Sequence, residues 1–272
     1  LRVIYHDDCM VVIDKPSGTL SVPGLRGNPS MAQLVFDTYG CESGRVDKMI
    51  VHRLDMDTSG IVIYAKTETA LKRLNVLFRD HKVQKSYEAL VCGHMEDNSN
   101  EGEINLPIQR DHNFPPFMRI ATKESEQEAA LLVEQLQHSG YKKLLRKSPK
   151  QCQTMFCVMS RELFHGKEPV TRLTLTPVTG RTHQLRVHCA AIGHPIVADQ
   201  TYGYLGEGCE NGGYDNCTMK QLYPNRACIK SQQRIDVVVR EQRTNLCLHA
   251  KTLSLPHPIT GDIITFDSPP PF

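Results

Sequence analysis

The sequence predicts an α+β fold, and three observations carry that expectation. Val3-Ile4-Tyr5 and Met10-Val11-Val12-Ile13 are short apolar runs around Asp7-Asp8, the pattern of a β-hairpin. Ile61-Val62-Ile63-Tyr64-Ala65 is an unbroken apolar run rich in β-branched residues, which reads as a buried strand. Ala70, Leu71, Leu74, Leu77 and Phe78 then recur at helical spacing.

Taken in order, the N-terminal hairpin is broken at Lys15-Pro16-Ser17-Gly18. Met31 to Tyr39 reads as a short helix closed by Gly40. Thr67 is placed to cap a helix running to about Asp80, with Lys72, Arg73 and Arg79 off its apolar stripe. Tyr87 to Val91 reads as a strand with Glu88 and Leu90 on one face and Tyr87, Ala89 and Val91 on the other. Val170 to Leu175 reads as a further strand. Thr182 to Ile192 reads as a helix capped by Thr182 and stopped by Gly193, with Leu185, Cys189 and Ile192 on one face. Residues 139–168 are basic and irregular and read as an insertion extending a strand pair, and residues 205–243 begin with a Gly-rich stretch from Gly206 to Cys217 that reads as mobile. No internal repeat or interdomain linker interrupts the chain, so one domain over residues 1–272 is expected.

The bulk numbers exclude several classes. A hydrophobic share of 40% over 272 residues is enough for a folded core. The net charge of +2 announces no polyanionic partner. The basic residues are clustered, however: Lys72, Arg73, Arg79, Lys82 and Lys85 in one stretch, and Lys142, Lys143, Arg146, Lys147 and Lys150 in another. Such clusters make a local electrostatic footprint or a solvated face. The 10 cysteines include no C-x-x-C pair, and Cys152/Cys157 and Cys209/Cys217 have no zinc-site spacing. A reducing compartment follows, with cytoplasm expected, or an organelle if an upstream targeting peptide precedes Leu1. No run approaches the length of a membrane span. Nothing encodes an assembly, and a monomer is expected.

The densest chemistry lies in Val51-His52-Arg53-Leu54-Asp55-Met56-Asp57-Thr58-Ser59-Gly60, a polar turn leading into the Ile61–Ala65 strand. That is a rigid place to hold a carboxylate. Tyr87 on its own reads as a half-buried strand aromatic, and Arg186 as a helix-surface charge. Arg181, His183 and Gln184 lie at a helix N-terminus, a natural anion site. The turns at Pro16-Ser17-Gly18-Thr19 and Pro177-Val178-Thr179-Gly180 match no phosphate loop or dinucleotide fingerprint, which argues against ATP or NAD.

HRLDMDTSG at 52–60 resembles the HRLD-x-x-TSG signature of the RluA family of pseudouridine synthases. Asp14-Lys15-Pro16-Ser17-Gly18, Lys85-Ser86-Tyr87-Glu88-Ala89, Gly180-Arg181-Thr182-His183-Gln184-Leu185-Arg186-Val187-His188 and Leu248-His249-Ala250 resemble four further segments of that family, in the same order. Ser21-Val22-Pro23-Gly24 and His257-Pro258…Thr265-Phe266 fit the RluA type within it. The resemblance implies a pseudouridine synthase fold: a long, mostly antiparallel central sheet in two halves, with helices outside and an RNA cleft between, and with residues 139–168 and 205–243 as insertions. It also implies that Glu124 to Gln137 is a strand, although the composition of that segment favours helix.

The implied function is isomerisation of uridine to pseudouridine in RNA, with the tRNA anticodon stem-loop and large-subunit rRNA as partners, no cofactor and no metal. The resemblance makes Asp55 the catalytic carboxylate, Arg186 its cationic partner and Tyr87 the ring stacked on the extruded base. Arg53 suits a phosphate contact or the gap left by the flipped uridine, and Arg181, His183, Gln184 and Leu248 are expected to bind RNA. Asp57 reads as a turn-stabilising residue and His188 as structural. Two rivals stand beside this reading: a catalytically inactive RNA-binding protein of the same fold, and a metal-dependent RNA hydrolase using His52 and Asp55, for which no third ligand is nearby.

Overall fold

The computed structural model describes residues 1–24, 28–96, 100–145 and 147–272, with the side chains of 141 and 144 left aside. In chain order the strands are β1 (Arg2–His6), β2 (Met10–Lys15), β3 (Ser59–Ala65), β4 (Gln84–Cys92), β5 (Glu101–Asn105), β6 (Ile108–Arg110), β7 (Met118–Ile120), β8 (Gln153–Phe164), β9 (Glu168–Pro177), β10 (Leu248–Pro256) and β11 (Ile263–Asp267). The helices are α1 (Met31–Tyr39), α2 (Glu68–Arg79), α3 (Lys123–Gln135), α4 (Ser139–Leu145), α5 (Gln184–Ala191), α6 (Asn216–Leu222) and α7 (Ile229–Gln242). The contacts group the chain into two compact units, residues 1–88 with 248–272 and residues 89–247. The sheet is large and mostly antiparallel, as expected.

In the first unit the strand order is β1-β2-β3-β10-β4, with β11 on β10. The expected hairpin forms: Val3 faces Ile13, and Asp7 closes the turn by accepting the N–H groups of Cys9 and Met10. β2 and β3 are covered on both faces, which is why each is a continuous apolar run. One face packs Met10, Val12, Ile61 and Ile63 under Ala70 and Leu74 of α2. The other packs Val11, Ile13, Val62 and Tyr64 under Met31, Ala32 and Val35 of α1. Thr67 caps α2 and Gly40 ends α1 as read, Thr67 accepting from the Ala70 N–H and Gly40 sitting at φ 62°, and Ser30 caps α1.

β3 runs parallel to β10, His249 facing Ser59 and Ala250 facing Gly60. Gly60 sits at φ 112°, and a Cβ there would collide with the Ala250 backbone. Close backbone approach is thus the reason for the glycine that ends the HRLDMDTSG turn.

In the second unit the order continues β4-β9-β8-β5, while β6 and β7 form a separate ribbon. β8 and β9 make a long antiparallel hairpin with an irregularity between Val158 and Ser160. α5 is buried throughout and packs Val187, Ala190 and Ala191 against Ile108, Ile120 and Tyr202.

Four expectations need correction. Residues 124–137 form helix α3, not a strand: Thr122 and Ser125 make a reciprocal capping box, and only Ser125 and Val133 of the helix are buried. With little tertiary packing to override it, local propensity decides. Residues 139–168 do extend a strand pair, since they hold all of β8, which pairs with β9, but they are not irregular, since they also hold α4; Arg146 lies outside the described residues. α5 begins at Gln184 rather than Thr182, with His183 at the cap in a left-handed conformation, φ 55°, and no side-chain cap. The Gly-rich stretch is packed rather than loose. A Cβ on Gly212 would press on Val187 and Ala191 of α5, so these glycines serve close contact. No helix among the described residues is long and apolar enough to cross a membrane.

Candidate active site

In the first unit, the turn that carries Asp55 is tied down on both sides of that residue. Ser21 Oγ donates to the Leu54 carbonyl at 2.8 Å and accepts from the Leu54 N–H at 3.0 Å. Tyr64 Oη donates to the Ser21 carbonyl at 2.6 Å, fixing the serine to β3. Ser17 Oγ donates to the Asp57 carbonyl. Lys15 is fully buried, and its ammonium donates to the carbonyls of Pro16, Thr19 and Met56 at 2.8–2.9 Å. The Lys-Pro-Ser-Gly segment is therefore the clamp for the Asp55 turn. Burial lowers the Lys15 pKa to about 8, and the carboxylates of Asp57 and Asp55 pull the other way. A cation thus underlies the two aspartates, a role the sequence reading missed. The signal was available: a lysine closing the apolar strand Met10–Lys15.

The neighbouring residues divide clearly. Asp55 is half-buried and Arg53 exposed. His52 is no metal ligand. Its Nε2 accepts the Ile63 N–H at 3.0 Å, its ring stacks on Phe78 at 4.6 Å, and burial pushes its pKa down to about 3. Tyr87 packs against the core cluster of Leu54 and Ala250. Its phenol pKa is raised, first by burial and then by the charge of Asp55, so that the two groups sense one another. Ser59 Oγ donates to His249 Nδ1 at 2.8 Å, and His249 Nε2 donates to the Ser268 carbonyl at 3.1 Å. The Leu-His-Ala segment therefore braces the Thr-Ser-Gly one. Leu248 itself is only 3% exposed, so its side chain packs in the interior.

In the second unit, Arg181 is exposed. Tyr202 Oη accepts the Met118 N–H at 2.9 Å and lies 2.8 Å from His183 Nδ1, to which its hydroxyl donates. Gln184 is buried and saturated. Its Oε1 accepts from Thr179 Oγ1 and the Arg181 N–H, and its Nε2 donates to the Gln153 carbonyl and Thr154 Oγ1. It shapes the Arg181–His183 turn from within, with its four side-chain hydrogen bonds made inside the protein. Arg186 is buried too, donating from Nε and Nη2 to Asp199 at 2.8 and 2.6 Å and from Nη2 to Thr201 Oγ1 at 2.8 Å. Asp199 was not singled out from sequence. His188 is structural as read: it accepts from Thr154 Oγ1 and donates to the Leu106 carbonyl.

The basic stretches differ from one another. In the first, Lys72 faces Glu68, Arg79 pairs with Asp80, and Arg73 donates to the Pro258 carbonyl, as on a solvated face. In the second, Lys143, Lys147 and Lys150 are exposed.

One group among the described residues has metal-ligand spacing: Asp7, Cys9 and His257. His257 Nδ1 accepts the N–H groups of Ile259 and Thr260, so Nε2 carries the ring proton and donates to Asp7 at 2.8 Å. A metal on Nε2 would leave an Nδ1–H facing two amide hydrogens. The trio fits a strand-end hydrogen-bond lock, not a metal centre.

The family description "RNA pseudouridylate synthase" matches residues 9–191, and the chain belongs to that family. Within it the chain is of the RluA family, and it is an isomerase acting on RNA. It is 33% identical to the dual-specificity RNA pseudouridine synthase RluA of Pasteurella multocida, over 100% of this chain and 94% of that protein. The RluA of Escherichia coli K12 is 30% identical over the same shares. Among solved structures, human RNA pseudouridylate synthase domain containing 1 matches at TM-score 0.66 and 25% identity, covering 100% of this chain and 84% of that one.

Proposed function

We propose that this chain, acting as one catalytic domain, uses Asp55 to convert specific uridines of the tRNA anticodon stem-loop and of large-subunit rRNA to pseudouridine. The reaction breaks N1–C1′, turns the base, and forms C5–C1′, so that one proton leaves C5 and one arrives at N1. Nothing is oxidised and no energy carrier is consumed. Asp55 opens the reaction as nucleophile toward the sugar or as its proton acceptor, and a carboxylate suits either. Tyr87 stacks on the turned base, Arg186 supports the ionised carboxylate, and Arg53, Arg181 and His183 meet the RNA backbone. The chain works as a monomer in a compartment that keeps its cysteines reduced.

The observation that supports this reading best is the clamp on the Asp55 turn. Hydrogen bonds on Leu54, Met56 and Asp57, with buried Lys15 beneath, hold one carboxylate in place. The "dual-specificity" in the relatives' names supports two RNA targets. RNA labelled with tritium at uridine C5 tests it, because the label passes to water as C5 bonds to C1′. The protein should release label from both RNAs with or without chelator. Asp55→Asn should bind RNA as before and release none. Turnover by Asp55→Asn would falsify the assignment.

A further inference from the structure

Arg186 lies on α5 in the second unit with its side chain 4% exposed, and its partner Asp199 has a side chain with no exposure at all. Three of the five guanidinium hydrogens are committed within this unit. Nε–H donates to Asp199 Oδ2, and the two Nη2 hydrogens go to Asp199 Oδ1 and Thr201 Oγ1. The Tyr202 ring lies 5.4 Å beneath the guanidinium carbon. A planar fork held at two nitrogens and stacked on a ring has its plane fixed, and the direction of Nη1 follows from that plane.

The carboxylate is held as firmly as the cation. Asp199 Oδ1 also accepts the N–H groups of Thr201 and Tyr202 at 2.9 and 3.0 Å. The preceding Ala198 sits at φ 61°, a left-handed conformation that a residue with a Cβ adopts only under constraint. It is kept there by Val197, whose N–H donates to Leu90 and whose carbonyl accepts from Cys247. A buried ion pair adds little net stability. Strained backbone around a buried pair is the mark of a position being enforced.

We infer that Asp199 and Thr201 are positioning residues that aim the Arg186 guanidinium for the isomerisation, touching neither base nor sugar themselves. The inference rests on the assignment of Arg186 to the reaction. It extends the site to the Val-Ala-Asp-Gln-Thr-Tyr segment at 197–202.

The test compares Asp199→Asn, Thr201→Val, Thr201→Ser and Asp55→Asn in single-turnover tritium release, with RNA affinity and urea unfolding measured alongside. Misaiming a reacting-site group by about 1 Å slows a reaction about 100-fold, which is the loss expected for Asp199→Asn, with RNA affinity within about twofold of the parent. Thr201→Val removes one hydrogen bond and should slow release up to about tenfold, while Thr201→Ser, which keeps the acceptor, should restore it. Where Asp199→Asn fails to fold, the Thr201 pair decides. Wild-type release by Thr201→Val, or equal loss in Thr201→Val and Thr201→Ser, overturns the inference. An active Asp55→Asn overturns the underlying reading instead. A dead Asp55→Asn beside a fully active Thr201→Val overturns the positioning role alone.

Discussion

A lysine with no exposed surface is costly to keep charged, and Lys15 keeps its ammonium on three carbonyls beside two carboxylates. Lys15→Met keeps the volume and leaves those carbonyls of Pro16, Thr19 and Met56 without their donor. A loss of about 2–4 kcal/mol in urea unfolding is expected, together with slowed tritium release. An unchanged stability would mean that the clamp is not formed in solution. Arg53 is the opposite case, exposed and next to the clamped turn. If it meets a phosphate, Arg53→Ala should lower the slope of log affinity against log salt by about 0.7–0.9. A slope equal to that of the parent would remove Arg53 from the RNA contact. At this scale the sequence showed the residue types of the site but not that Gln184 and Leu248 are buried. Side-chain identity does not tell whether a polar group points to solvent or closes an internal network, and Gln184 does the latter with four bonds.

Among the elements, β3 shows how one residue holds two motifs together. Gly60 permits the parallel pairing of β3 with β10, where Ser59 meets His249. Gly60→Ala would drive a methyl into the Ala250 backbone in a region of φ that Ala disfavours. The variant is expected to lose about 3 kcal/mol or more, or not to accumulate as folded protein. A variant with a parental melting curve would contradict the close approach. α3 carries the complementary lesson. Its Glu, Gln, Ala and Leu content favoured helix, and the expectation of a strand failed because the segment has a capping box and too little burial for tertiary context to prevail. The start of α5 was misread by two residues because its N-terminal turn is organised by buried Gln184 and not by a local Thr182 cap.

For the molecule as a whole, His52 and His188 contribute to the response to acid. Burial lowers the pKa of His188 to about 4 and of His52 to about 3, against 6.5 when unfolded. Between pH 6.5 and 4 the unfolded chain binds protons that the folded chain refuses. The stability these two residues contribute is therefore full above pH 6.5 and falls as the pH drops, by about 1.4 kcal/mol per pH unit for each such proton. His188→Gln can keep a donor to Leu106 and an acceptor for Thr154. It should flatten the dependence of urea midpoint on pH over this window by one proton, and a curve parallel to the parent would refute the buried neutral state of His188.

The sequence by itself determined the α+β class, the strands β2 and β3, the helices α1 and α2, and the HRLDMDTSG turn that carries Asp55. Those features depend on neighbours in the chain: an apolar run, a cap three residues away, a motif of nine letters. The tertiary structure alone decided that Lys15 and Ser21 clamp the Asp55 turn, that Gly60 makes room for Ala250, and that Asp199 holds Arg186. Each of these joins residues distant in sequence, or turns on which side of a buried network a polar group faces. Burial and hydrogen-bond completion set such choices only once the chain has closed on itself.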